Sequence, residues 1–169
     1  MRLRFDLRGM SNSNGKDHDD VLSSMRSGLE LAGFGVDGVE YDAEECAILV
    51  RYVLTREATA SVTDEATATQ VLDEHVPRIA GVFDSTIEDA REPDRYRRVV
   101  AFALDPPETS ASDERYTLRL AIDAEVAREL HRRETSDDLG ALYRRVADTA
   151  VLIDADGEAE ELHLQLDID

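Results

Sequence analysis

Three runs in this chain alternate apolar and polar or small side chains residue by residue. In "ECAILVRYVL" the residues Cys46, Ile48, Val50, Tyr52 and Leu54 fall on alternate positions. "DRYRRVVAFAL" sets Tyr96, Val100, Phe102 and Leu104 against Arg95, Arg97, Val99, Ala101 and Ala103. "ERYTLRLAI" sets Tyr116, Leu118, Leu120 and Ile122 against Arg115, Thr117, Arg119 and Ala121. A period of two places each set on one face of a strand, so a chain with three such runs must build a sheet.

Between these runs the period changes to that of a helix. Val21, Leu22, Met25 and Leu29 predict a helix over 18–32, with aspartates before it and Gly33 after it. Val71, Leu72, Val76, Ile79, Phe83, Ile87 and Ala90 predict a long helix that Pro77 must kink or break near 74–76. The strands fall at 36–42, 45–55, 95–104 and 114–122, and further helices at 124–133 and 137–149. Leu162, Leu164, Leu166 and Ile168 alternate as a final strand. Periodicity leaves 150–153 open between strand and helix. The order helix–hairpin–helix–hairpin–helix–helix–strand predicts an α+β fold, a mainly antiparallel sheet with helices packed on one face.

The 169 residues fit one domain, expected over 18–169, behind a flexible segment 1–17. Met10 is the expected translational start, with residues 1–9 upstream of it. Aspartate and glutamate outnumber lysine and arginine by 38 to 19, a formal charge of -19, and Lys16 is the one lysine. The acids are scattered through every segment, which describes a coat and not an acidic tail. Such a coat suits a halophilic cytoplasm, where salt screens charge within a few ångströms. It also repels phosphates, which argues against direct nucleic-acid binding. No apolar stretch is long enough to span a membrane, and one cysteine allows no internal disulfide.

Residues able to do chemistry are sparse. His18, His75, His131 and His163 are far apart, and no HxH, HExxH or HxxE spacing puts two ligands on one face. His75 borders its helix's apolar stripe and reads as a half-buried histidine with a hydrogen-bond partner. Cys46 reads as a small buried thiol in a strand. "DADGEAEE" at 154–161 lacks the acids and spacing of a calcium loop and reads as a solvated turn. Gly33, Gly35 and Gly38 have the GxGxxG spacing, but a helix precedes them and a strand follows, the reverse of a dinucleotide site. No catalytic residue, metal ligand or cofactor is expected.

Arginine is the residue type that groups. Arg132 and Arg133 lie in a helix's last turn behind Glu129, and Arg144 and Arg145 lie on a helix's water side near Asp148, so both pairs are helix-surface chemistry. The strand cluster is different. Alternation places Arg95, Arg97, Arg115 and Arg119 on one carboxylate-free sheet face, with Arg51 as a fifth candidate and Arg98 on the core side. Arginines this close repel unless acids or anions cover them. Carboxylates of the same chain, a second copy or acidic partner, and a small anion are the possible covers.

The element order, with "DERYTLRLAIDAEVAREL" leading into "TSDDLGALYRRVADTAV", resembles uncharacterised acidic α+β proteins of haloarchaea, a likeness that brings a fold and no activity. Order and acidity are also similar to the small dimeric chaperones of bacterial secretion systems, at the level of fold. The expectation is a non-enzymatic, chaperone-like interaction module of a halophilic cytosol, forming a homodimer or taking an acidic protein partner through the arginine face. The alternative is a small enzyme or sensor that binds an anion or nucleotide there.

Overall fold

A computed structural model describes residues 15–54, 62–63, 65–105, 116–132, 139–154 and 156–161. Helix α1 spans His18–Leu31. Asp17 caps it, its carboxylate accepting the Asp20 N–H at 2.9 Å, and Asp19 and Asp20 sit in the first turn against the positive end of the dipole. Gly33, at φ +100°, turns the chain out of the helix, a conformation that a side chain would strain. Val21, Met25 and Leu29 are fully buried along one stripe.

Strands β1 (Gly35–Asp42) and β2 (Ala47–Val53) form the first antiparallel hairpin, with a bulge between Val36 and Gly38. The Asp42 carboxylate accepts the Glu44 N–H at 3.0 Å and shapes the turn. Cys46 lies in that turn with φ +53°, half-buried, so the expectation of a buried strand thiol is corrected. The tight reversal needs a left-handed residue there, and the strand begins one position later.

The long helix is interrupted where Pro77 requires it. Helix α2 (Glu65–Gln70) passes into a π turn, Val71–His75, and α3 (Val76–Glu88) follows. The Val76 N–H reaches back five residues to the Val71 carbonyl. This wider turn precedes a proline that has no N–H to give and whose ring crowds the preceding turn. A short 3₁₀ turn, Pro93–Arg95, leads into β3 (Arg98–Leu104), which runs parallel to β2. Strand β4 (Thr117–Asp123) returns antiparallel, and α4 (Ala124–Arg132) and α5 (Leu139–Ala147) follow. Within 150–153 the stretch Val151–Ile153 forms a strand, β5, pairing with β4 and then with β6 (Ala159–Glu161). The expected strand through Leu162–Ile168 lies outside the described residues, as do Arg115 and residues 1–14.

The six strands lie in chain order, and every neighbouring pair is antiparallel except β2 and β3. This is the α+β architecture that the pattern predicts. Two hairpins meet at a parallel seam because α2 and α3 carry the chain back across the sheet before β3 begins. Ile48, Val50 and Tyr52 of β2, Val99, Ala101 and Ala103 of β3, and Leu118, Leu120 and Ile122 of β4 form one buried face. Met25, Leu72, Ile79, Phe83, Val126 and Leu142 supply the helical side of that core.

Candidate functional site

The sheet's other face is built from the alternate residues, and the register sets them in rows. One row runs Gly38, Arg51, Phe102, Arg119, Val151, Glu161 across all six strands. Beside it lie Glu40, Leu49, Val100 and Ala121 on one side, and Val53, Leu104, Thr117 and Ile153 on the other. A last row brings Asp42, Ala47, Arg98 and Asp123 together. Leu49, Val53, Phe102, Leu104, Val151 and Ile153 are all only partly buried and stand apart from the core cluster. Large apolar side chains left partly exposed on the water side of a sheet are the exception that calls for an account.

The arginines do not form the group that alternation predicts. Arg95 belongs to the 3₁₀ turn and not to a strand. Its guanidinium lies 3.8 Å from Glu92 and 5.4 Å from the Tyr41 ring centre, and its carbonyl accepts the Tyr41 hydroxyl at 2.8 Å. Arg97 is exposed and precedes the strand; its N–H donates to the Cys46 carbonyl at 2.7 Å, and its carbonyl accepts the Ala124 N–H at 2.8 Å. Arg115 falls outside the described residues. Arg119 stands on the open face as placed, half-buried. The expected common face of Arg95, Arg97, Val99, Ala101 and Ala103 with Arg119 is therefore corrected. Val99, Ala101 and Ala103 are in the core, and Arg98 takes the open side with Val100, Phe102 and Leu104.

The cause is a phase slip of one residue. Tyr96 and Val99, three positions apart, both point into the core because the chain between them is still leaving the Pro93 turn. Counting alternation from Tyr96 then reverses every later side chain. Arg51 does join the open face, on the row of Phe102 and Arg119.

Carboxylates of the same sheet hold two of these three arginines. Arg51 Nη2 lies 3.3 Å from Glu40 and its Nε 3.8 Å from Asp37 in the bulge. Arg98 sits 3.6 Å from both Glu45 and Asp123, and Asp123 also meets Arg145 at 3.5 Å. At 3.6 Å the Arg98 contact is Coulombic and not a hydrogen bond, so its buried Nε has no hydrogen-bond partner among the described residues. Arg119 forms no ion pair among the described residues.

Each described histidine has a partner far away in sequence. His18 Nδ1 meets the Tyr96 hydroxyl at 2.9 Å. His131 Nδ1 meets the buried Asp84 carboxylate at 2.8 Å, with Arg132 beside it at 3.6 Å. His75, half-buried as expected, lies 3.0 Å from the Tyr52 hydroxyl. Burial lowers the proton affinity of His75, and the nearby Arg78 charge lowers it further against the opposing pull of Glu74. Burial raises the Tyr52 phenol far above its ordinary value. Among the described residues no three metal-ligating side chains gather. Between β5 and β6 the Asp154 carboxylate accepts the N–H groups of Asp156 and Glu158, each at 2.9 Å, with Gly157 at φ +86°. No described helix is long and apolar enough to cross a membrane. Compared with protein-family models, curated proteins and solved structures, the chain matches none of them.

Proposed function

We propose that the chain is a non-enzymatic interaction module of a halophilic cytosol, chaperone-like in acting by contact, and that it pairs with a second copy through the open face of its sheet. The observation that carries this reading is the row of Arg51, Phe102, Arg119 and Val151, with Leu49, Val53, Leu104 and Ile153 around it, on the side of the sheet away from the core. An apolar centre edged by paired charges is the composition of a contact surface. Arg119 adds a guanidinium fork to offer to a partner carboxylate. The acid coat supports the salt-rich setting, since among the described aspartates and glutamates only Asp84 and Asp105 are buried.

Light scattering in molar salt tests the pairing. The wild type is expected at twice the chain mass, and Phe102→Glu with Arg119→Glu at the mass of one chain. A wild-type monomer, or a double variant of unchanged mass, overturns it. The second reading, an anion- or nucleotide-binding sensor or enzyme on the same face, rests on Arg119, which has no ion pair among the described residues. A monomer whose melting temperature rises with phosphate metabolites would establish that reading instead.

A further inference from the structure

A cleft of about 240 Å³ opens where α1 hands over to β1. The turn at Gly33–Gly35, the end of β2 and the helical segment from Gln70 to Arg78 enclose it. Its aromatic lining is Phe34, Tyr52 and His75, each edge-on to the others with ring centres 4.9–5.5 Å apart. The π turn ends on His75 and so sets the phase at which its ring meets Tyr52. Such turns recur at functional sites.

The hydrogen-bond pair fixes what the cleft offers. The Tyr52 hydroxyl is buried and stays protonated, and its proton needs an acceptor. Among the described residues the one partner is His75 Nδ1, at 3.0 Å. A neutral imidazole that accepts at Nδ1 carries its hydrogen at Nε2 and donates there. Arg78, exposed and in no ion pair among the described residues, adds a guanidinium to the same lining. Glu74 is the one carboxylate of the lining, so the cleft's charges nearly balance. Arg78 and the His75 Nε2–H offer donors for a single carboxylate, and a dianion meets twice the repulsion of Glu74 that a monoanion does. The volume lies below the roughly 300 Å³ at which pockets for drug-sized ligands begin, which limits the occupant to a small molecule.

We propose that this cleft binds a small organic monocarboxylate, its flat apolar body against Phe34 and Tyr52 and its carboxylate on Arg78 and the His75 Nε2–H. Benzoate is the probe, titrated into the full chain at fixed high salt while the ring ¹H–¹³C signals of His75 are followed by NMR. Those signals are assigned by their loss in His75→Gln. The expected result is a saturable shift, with affinity reduced about tenfold or more in Arg78→Gln, since a charge-assisted hydrogen bond is lost. Arg119→Gln is expected to leave the curve unchanged, and Glu74→Gln to tighten it. The absence of a saturable shift overturns the proposal. So does an equal affinity in an Arg78→Gln chain that melts as the wild type does. Inorganic phosphate binding as tightly as benzoate overturns the assignment to a carboxylate.

Discussion

Along one strand, β3, the two faces of the sheet use opposite size rules. On the central strand β3 the small residues Val99, Ala101 and Ala103 face the helices, while Phe102 and Leu104 face outward, only partly buried. Small side chains on the buried side let the helical layer approach the sheet closely, and the helices bring the bulk in Phe83, Ile79 and Leu72. Polar groups obey a second contrast. Asp105 continues the core-facing series beyond Ala103, is 2% exposed, and accepts the Val62 N–H at 2.8 Å and the Tyr116 N–H at 3.0 Å. Arg98, on the open side, has two carboxylates at 3.6 Å, and its Nε–H donates no hydrogen bond among the described residues. The core face thus meets its polar needs within this chain, while on the open face Arg119 has no ion pair and the Arg98 Nε no hydrogen bond among the described residues.

The sharpest way to break this comparison is to truncate one large side chain on each face. Leu120→Ala, in the core, is expected to cost about 3–5 kcal/mol, from lost transfer energy and an unfilled cavity. Phe102→Ala is expected to cost about 1 kcal/mol at low protein concentration, since its ring is already partly in water. If the face pairs with a second copy, the Phe102→Ala loss grows with protein concentration, because only the associated state loses the contact. Urea unfolding at two concentrations and one salt level reads both effects. Equal costs for the two variants would mean that the faces do not differ as described.

How much of this was legible in the sequence depended on contrast between neighbours. On β4 the leucines and isoleucine alternate with Thr117 and Arg119, so the phase is unambiguous and the pattern reads correctly. The cap of α1, its Gly33 stop and the disturbance before Pro77 are local chemistry and equally readable. On β3 both faces are apolar, so periodicity carries no phase, and the count had to start from Tyr96, which lies before the strand. The choice of small residues for the core side of β3 depends on helices that pack there, which no local pattern contains. The Tyr52–His75 pair joins residues 23 apart and the His131–Asp84 pair residues 47 apart. Folding alone supplies such partners, so the histidines read as scattered.

Polar groups test the comparison at a smaller scale. Asp105→Ala leaves the buried Val62 N–H and the part-buried Tyr116 N–H without their acceptor and is expected to cost about 2–4 kcal/mol, nearer the top if both stay dry. Arg98→Met removes a guanidinium whose Nε is unsatisfied and whose ion pairs are half-exposed, and is expected to change stability by less than about 1 kcal/mol. The two variants, compared by denaturant unfolding at one pH, separate a fully used buried charge from a compensated surface one. A loss in Arg98→Met as large as that in Asp105→Ala would show the open face to be as tightly specified as the core.

The smallest effect concerns pH and belongs to the core side, where His75 meets Tyr52. In the folded chain its proton affinity lies below the ordinary value of 6.5, with burial the first cause. Unfolding restores the ordinary value, so between the lowered value and 6.5 the unfolded chain binds more protons. Stability from this group is therefore fully present above 6.5 and falls as pH drops through that window. Below the lowered value the loss is constant. The many carboxylates add their own dependence, and only the difference between the wild type and His75→Gln isolates the histidine. That difference is expected to be flat above pH 6.5 and to favour the variant progressively as pH falls below it. A difference that stayed constant across the window, measured by urea unfolding at fixed salt, would mean that His75 does not have to enter the fold neutral. The donor at Nε2 that the cleft presents would then lose its basis.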